Sequence, residues 1–163
     1  MANNIKTLNP AGRIAVDGAL LALACLIPAA SHALALPLYM LNPMLVLLLA
    51  GVLLHRDWRH ALVLAVLLPV VSCLVVGMPT AAKAVCMVAE LATVAVMFGW
   101  LQRKWVVWPA VMTAIVAGKV VYYLLKAVVL APAVLVGTEW WIQLGTVVLW
   151  GGLFALLYKK FKV

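Results

Sequence analysis

Side chains able to do chemistry are scarce in this chain, and one carboxylate stands out. Asp and Glu together number four in 163 residues, and Glu90 lies inside an apolar run. A carboxylate there costs several kcal/mol unless it is paired or faces a cavity. Two lysines, Lys119 and Lys126, lie in a later apolar run, seven residues apart and therefore on one helix face, with Tyr122 and Tyr123 beside them. On a rise of about 1.5 Å per residue, Lys119 sits roughly 20 Å from one end of its run, and Glu90, entering from the opposite end, reaches a similar height. His32, Asn42, Glu139, Trp140, Trp141 and Gln143 belong to the same half of the membrane. This asymmetry points to a pocket opening to one side rather than to a pore.

Each of these residues also has a structural reading. Glu90 and Lys119 can form an ion pair that locks two helices, and Lys126 can snorkel to the membrane surface. Trp140 and Trp141 suit interface anchors, and His32 suits a loop position. His55 and His60 read as solvated.

Catalysis finds little support. Ser31 and Ser72 are the only serines, and neither GxSxG nor HExxH occurs. There is no Walker sequence, so the chain is not expected to hydrolyse ATP itself. One histidine in that half of the membrane is too few for a dedicated metal site. Cys25, Cys73 and Cys86 lie in apolar runs without CxxC spacing and read as buried thiols. The expectation is a binding protein, not an enzyme, with no cofactor of its own.

The elements that must position these residues are apolar helices. Hydrophobic residues make up 69% of the chain and charged ones 10%, with a mean hydropathy of +1.21, well above the balance of a soluble domain. The fold class expected is an all-α integral membrane protein forming one domain over residues 1–163. Six spans are expected at about 13–30, 41–54, 61–76, 84–101, 106–130 and 140–158. Asp17 is placed in the first turn of the first span, where a helix dipole favours negative charge. Pro37 and Pro43 argue against one straight helix through residues 31–43. Gly77-Met78-Pro79 marks a tight corner between the third and fourth spans. Lys6 and Arg13 ahead of an apolar stretch ending at Ser31-His32-Ala33 loosely fit a cleavable signal, but the topology needs that stretch as a span.

Orientation follows from charge. Of the twelve Lys and Arg residues, nine fall on one side: Lys6, Arg13, Arg56, Arg59, Arg103, Lys104, Lys159, Lys160 and Lys162. The positive-inside rule makes that side cytoplasmic, with both termini inside. The net charge of +8 therefore reads as topology, not as nucleic-acid binding, for which no motif or aqueous domain is present.

The order Pro69-x2-Ser72-x4-Gly77-Met78-Pro79, followed by Glu90-Leu91, resembles the substrate-binding S components of energy-coupling factor (ECF) transporters. The resemblance covers most of the chain, including six spans with both ends inside. Ala15-x3-Ala19 is similar to the AxxxA face with which those proteins dock to a transmembrane T subunit, and Ala22 continues that face. Gly118-Lys119-Val120 and Ile142-Gln143-Leu144 resemble recurring elements of the last two spans.

The resemblance implies capture of a vitamin or related micronutrient from outside a bacterial or archaeal cytoplasmic membrane. Delivery inward would need a T subunit and two cytoplasmic ATPases. It implies a pocket built from the later spans and the loops after spans one, three and five, with residues 31–42 as a lid. Glu90, Lys119, Tyr123, Lys126, Gln143, Trp140, His32, Asn42 and Met78 are the substrate-site candidates, and Ala15, Ala19 and Ala22 the docking candidates.

Lys83, Lys119 and Lys126 against Glu90 and Glu139 leave the outer half with one excess positive charge, which favours a carboxylate or phosphate on the substrate. A haem or corrinoid bound through His32 as axial donor is the other ligand class considered. Two further functions stay open: a self-sufficient secondary transporter relaying protons through Glu90 and Lys119, and a membrane scaffold in which the charges are structural.

Overall fold

The computed structural model describes residues 9–35, 38–55, 57–130 and 139–161. It contains α1 (Pro10–Ala33), α2 (Pro43–His55), α3 (Trp58–Val76), α4 (Ala81–Leu101), α5 (Val107–Leu130) and α6 (Glu139–Phe161), with a short 3-10 turn at Leu38–Leu41. Among the described residues there is no strand. Every helix except α2 is long and apolar enough to cross a membrane, which makes this a multi-pass helical bundle.

Helix α2 is the exception to the expected pattern. Its 13 residues rise only about 20 Å, short of a hydrocarbon core of about 30 Å. The helix begins at Pro43, not at 41, because Asn42 adopts a left-handed φ of 54° that no helix continues. Asn is among the few non-glycine residues that tolerate this conformation. Pro43, lacking an N–H, suits the first helical position, and the Asn42 carbonyl accepts from Leu45 and Val46 N–H at 3.1 and 3.3 Å. Short as it is, α2 is the most enclosed element: it packs on α1, α3 and α6, and Leu45 and Leu48 are wholly buried.

Other boundaries shift for identifiable reasons. Helix α1 passes through Pro28 to Ala33, as membrane helices can when neighbouring groups satisfy the freed carbonyl. Because α1 starts at Pro10, Asp17 stands two turns in, and the expected placement in the first turn is corrected: that turn holds no acid. Helix α3 starts at Trp58, three residues before the expected boundary. Asp57 caps it, its Oδ1 accepting from Arg59 N–H at 2.9 Å, which draws Trp58-Arg59-His60 out of the expected polar loop. Gly77 ends α3 in the left-handed region at φ 73°.

Packing in a membrane bundle depends on close contact and hydrogen bonds rather than on a hydrophobic force. Both are visible here. Helix α4 lies between α3 and α5, and Gly118 lets α5 approach α4 closely. A Cβ at Gly118 would stand 2.9 Å from the Glu90 carbonyl oxygen and 2.6 Å from Val94 Cγ2. Buried Ser72 Oγ lies 3.0 Å from the Ala24 carbonyl and 2.6 Å from the Met78 carbonyl, tying α3 to α1 and to the corner before α4. Trp150 Nε1 donates to the Leu41 carbonyl at 2.8 Å, fixing the 3-10 turn against α6.

Successive helices alternate in direction, so the bundle has two distinct ends. At one, Asn42 lies beside Glu90. At the other, His55 and His60 meet Asp17, and the Tyr158 hydroxyl donates to Gln102 Oε1 at 3.1 Å. Arg13, Arg59, Arg103, Lys104, Lys159 and Lys160 belong to this second end by chain direction.

Candidate functional site

Helix α4 carries Glu90 into the bundle and α5 carries Lys119 to meet it. Lys119 Nζ stands 2.8 Å from Glu90 Oε1, with Glu90 3% exposed and Lys119 12%. Asn42, at the start of α2, reaches the same Oε1 with Nδ2 at 3.5 Å, the long limit of a hydrogen bond. Three helices therefore converge on one carboxylate. The Tyr122 ring lies 5.5 Å from Lys119 Nζ, within cation–π range. Burial makes such a pair matter: removing one partner strands the other charge in a medium of low dielectric.

Beside this node a cleft of about 430 Å³ opens between α5 and α6. Val116, Lys119, Val120, Tyr123, Leu124 and Ala127 line it from α5, and Gln143, Leu144 and Val147 from α6. Its walls are almost entirely apolar, and Lys119, Tyr123 and Gln143 line it chiefly through their apolar atoms. Gln143 Oε1 is buried without a hydrogen-bond partner. Such a group normally finds one.

Lys126, two turns beyond Lys119 on α5, is 8% exposed. Its Nζ lies 5.9 Å from the Tyr123 ring centroid, and among the described residues it has no carboxylate within ion-pair distance. A buried ammonium without a counter-charge is costly, so an anion beside it would be favoured.

The candidates thus divide by position. Lys119 and Asn42 each meet Glu90, while Lys119, Tyr123 and Gln143 share the cleft. Met78, 39% exposed, stands at the corner after α3 and does not line the cleft. Residue His32 is in the last turn of α1 and Trp140 in the first turn of α6, but their side chains lie outside the described ones. Most of the loop 132–139 is also outside the described residues. Part of the suggested lid, residues 36–37, is outside them too.

Ala15, Ala19 and Ala22 are all exposed, together with Gly18, where an added Cβ would meet nothing within 4 Å. Only 11% of the apolar window of α1 is buried, against 50% for α4. The small-residue face of α1 therefore points away from its own bundle.

One cluster was missed in the sequence. His55 is buried, not solvated, and with His60 it converges on Asp17. The sequence signal was an acid in the N-terminal half of α1 and two histidines that bracket the α2–α3 turn.

Compared with protein-family models, curated proteins and solved structures, the chain shows no match.

Proposed function

We propose that this protein is the substrate-capture subunit of an ECF-type importer, binding a small organic anion of the vitamin or micronutrient class. The observation that carries the reading is the Lys119–Glu90 pair at the edge of an apolar cleft, with the buried cation Lys126 two turns further along the same helix. An apolar cleft with few convergent polar groups is the usual form of a small-molecule site. Here the apolar walls would take the body of the ligand, Lys119 its acidic group and Gln143 a hydrogen bond, with Lys126, outside the cleft lining, adding positive charge two turns beyond. With Arg13, Arg59, Arg103, Lys104, Lys159 and Lys160 toward the opposite end, the positive-inside rule would turn this cleft outward and both termini inward.

The exposed small face of α1 supports a membrane partner, since such faces let helices approach closely. On this reading Ala15, Ala19 and Ala22 meet a T subunit, and two cytoplasmic ATPases supply the energy. Residues 34–42, joining α1 to the short α2, would act as the lid.

The test begins with the protein purified alone in mild detergent and analysed by mass spectrometry for a retained small molecule. A retained organic anion, lost in Lys126→Met, is the expected result. Uptake into vesicles by this chain alone would instead show a secondary transporter. A saturable Kd unchanged in both Lys119→Ala and Lys126→Met would refute the proposed site.

A further inference from the structure

The cluster at the other end of the bundle points to a ligand of a different kind. His55 Nε2 lies 2.9 Å from Asp17 Oδ1, and His60 Nε2 lies 2.9 Å from Asp17 Oδ2 and 3.0 Å from Oδ1. The two imidazole rings are 4.1 Å apart at 46°. The residues come from three elements: α1, the last turn of α2 and the first turn of α3.

His60 and Asp17 form an ordinary hydrogen-bonded pair, but His55 does not. Its side chain is wholly buried, and both ring nitrogens lack an aligned hydrogen-bond partner. His55 Nε2 thus approaches Asp17 Oδ1 closely but out of line for a hydrogen bond. If that nitrogen carries a lone pair, the contact is repulsive. A cation between the two groups removes the conflict.

We propose that Asp17, His55 and His60 form a binding site for a divalent transition-metal ion of the zinc type. Two imidazole nitrogens and a carboxylate suit such an ion, with a fourth position left open. Ligands about 2.0–2.2 Å from a tetrahedral ion are about 3.3 Å apart, so the present 2.9 Å separations need open by only a few tenths of an ångström. The candidate ligand atoms already lie within 4.8 Å of one another. Asp17 and His60 are 23% and 25% exposed, which leaves a route of entry. Arg13, one turn before Asp17, places a positive charge nearby and opposes the ion. Its buried Nε also lacks a partner, however, and an acceptor in the fourth position, such as a metal-bound water or anion, would satisfy it. The ion would join the near ends of α1, α2 and α3, and so clamp the helix that bears the exposed small-residue face. This site is independent of the cleft and of the capture role proposed for it.

The test uses the full chain in detergent, freed of metal by a chelator and titrated with Co2+ alone. The expected result is a single cobalt ion per chain with the intense visible bands of four-coordinate cobalt, bleached when Zn2+ is added. His60→Asn and Asp17→Asn should each weaken binding beyond the roughly 10–100-fold typical of losing an outer-shell partner. Folding of each variant is checked by circular dichroism and gel filtration, and whichever variant folds decides. A wild-type spectrum no different from six-coordinate aqueous cobalt overturns the proposal and leaves a hydrogen-bonded Asp–His network. Bands that persist unchanged in a folded His60→Asn protein overturn it equally.

Discussion

Replacing Lys119 by Met removes the cation paired with Glu90 while keeping the length and apolar stem of the side chain. Glu90 is then left 3% exposed, and among the described residues Asn42 Nδ2, at 3.5 Å, is its remaining partner. Breaking a buried pair on one side costs about 3–5 kcal/mol, whereas an exposed pair is worth about 0–1 kcal/mol. At 12% and 3% exposure, the first range applies. Lys119→Met should therefore destabilise the protein by about 3 kcal/mol. Adding Glu90→Gln should recover most of the loss, because removing both charges leaves no stranded ion. The assay is unfolding by SDS titration in mixed micelles, run as a double-mutant cycle. A coupling energy below about 1 kcal/mol, the surface value, would refute the view that the pair is buried and mutually dependent. The same variants separate structure from ligand binding. If the ammonium also meets substrate, the double variant regains stability but not affinity.

Three further outcomes follow from the packing. Gly118→Ala should cost about 1–3 kcal/mol by overpacking, since the new Cβ meets the Glu90 carbonyl oxygen at 2.9 Å, and the same unfolding titration measures it. Ser72→Ala should cost about 1–3 kcal/mol, the range for a buried polar group left unpaired, read as a lower SDS midpoint. Ala15→Leu and Ala19→Leu, on the exposed face of α1, should change stability by no more than about 0.5 kcal/mol. On the proposed function they should also abolish co-purification with a T subunit while leaving the substrate Kd unchanged, and normal assembly in both would remove the docking role.

Legibility differed between the two ends of the bundle. Counting helical rise along two apolar runs was enough to bring Glu90 and Lys119 to one height, because intramembrane charges are rare and depth in a helix is nearly linear in sequence. The third member, Asn42, could be assigned to the right half but not to Glu90. That contact depends on a left-handed turn at Asn42, which local pattern does not reveal. At the opposite end, His55-Arg56-Asp57-Trp58-Arg59-His60 has the composition of a solvated loop. Composition gave no hint that the last turn of α2 and the first of α3 would fold His55 and His60 against Asp17. The same reading missed the start of α3, where a single Asp57 cap extends the helix by most of a turn. Apolar periodicity had nothing to say about α2, whose residues are apolar on every side because neighbouring helices surround it.

The short, enclosed α2 gives the bundle an uneven stiffness along the membrane normal. Toward His55, the ends of α2 and α3 are held against α1 through Asp17, and deformation there must break those contacts. Toward Asn42, α2 stops short, and the chain that makes up the remaining thickness includes a 3-10 turn held to α6 through the Trp150–Leu41 bond. Elastic strain from the surrounding lipid, or from a ligand pressing on Asn42, will therefore be absorbed at that end first. One half of the protein can yield while the other keeps its shape.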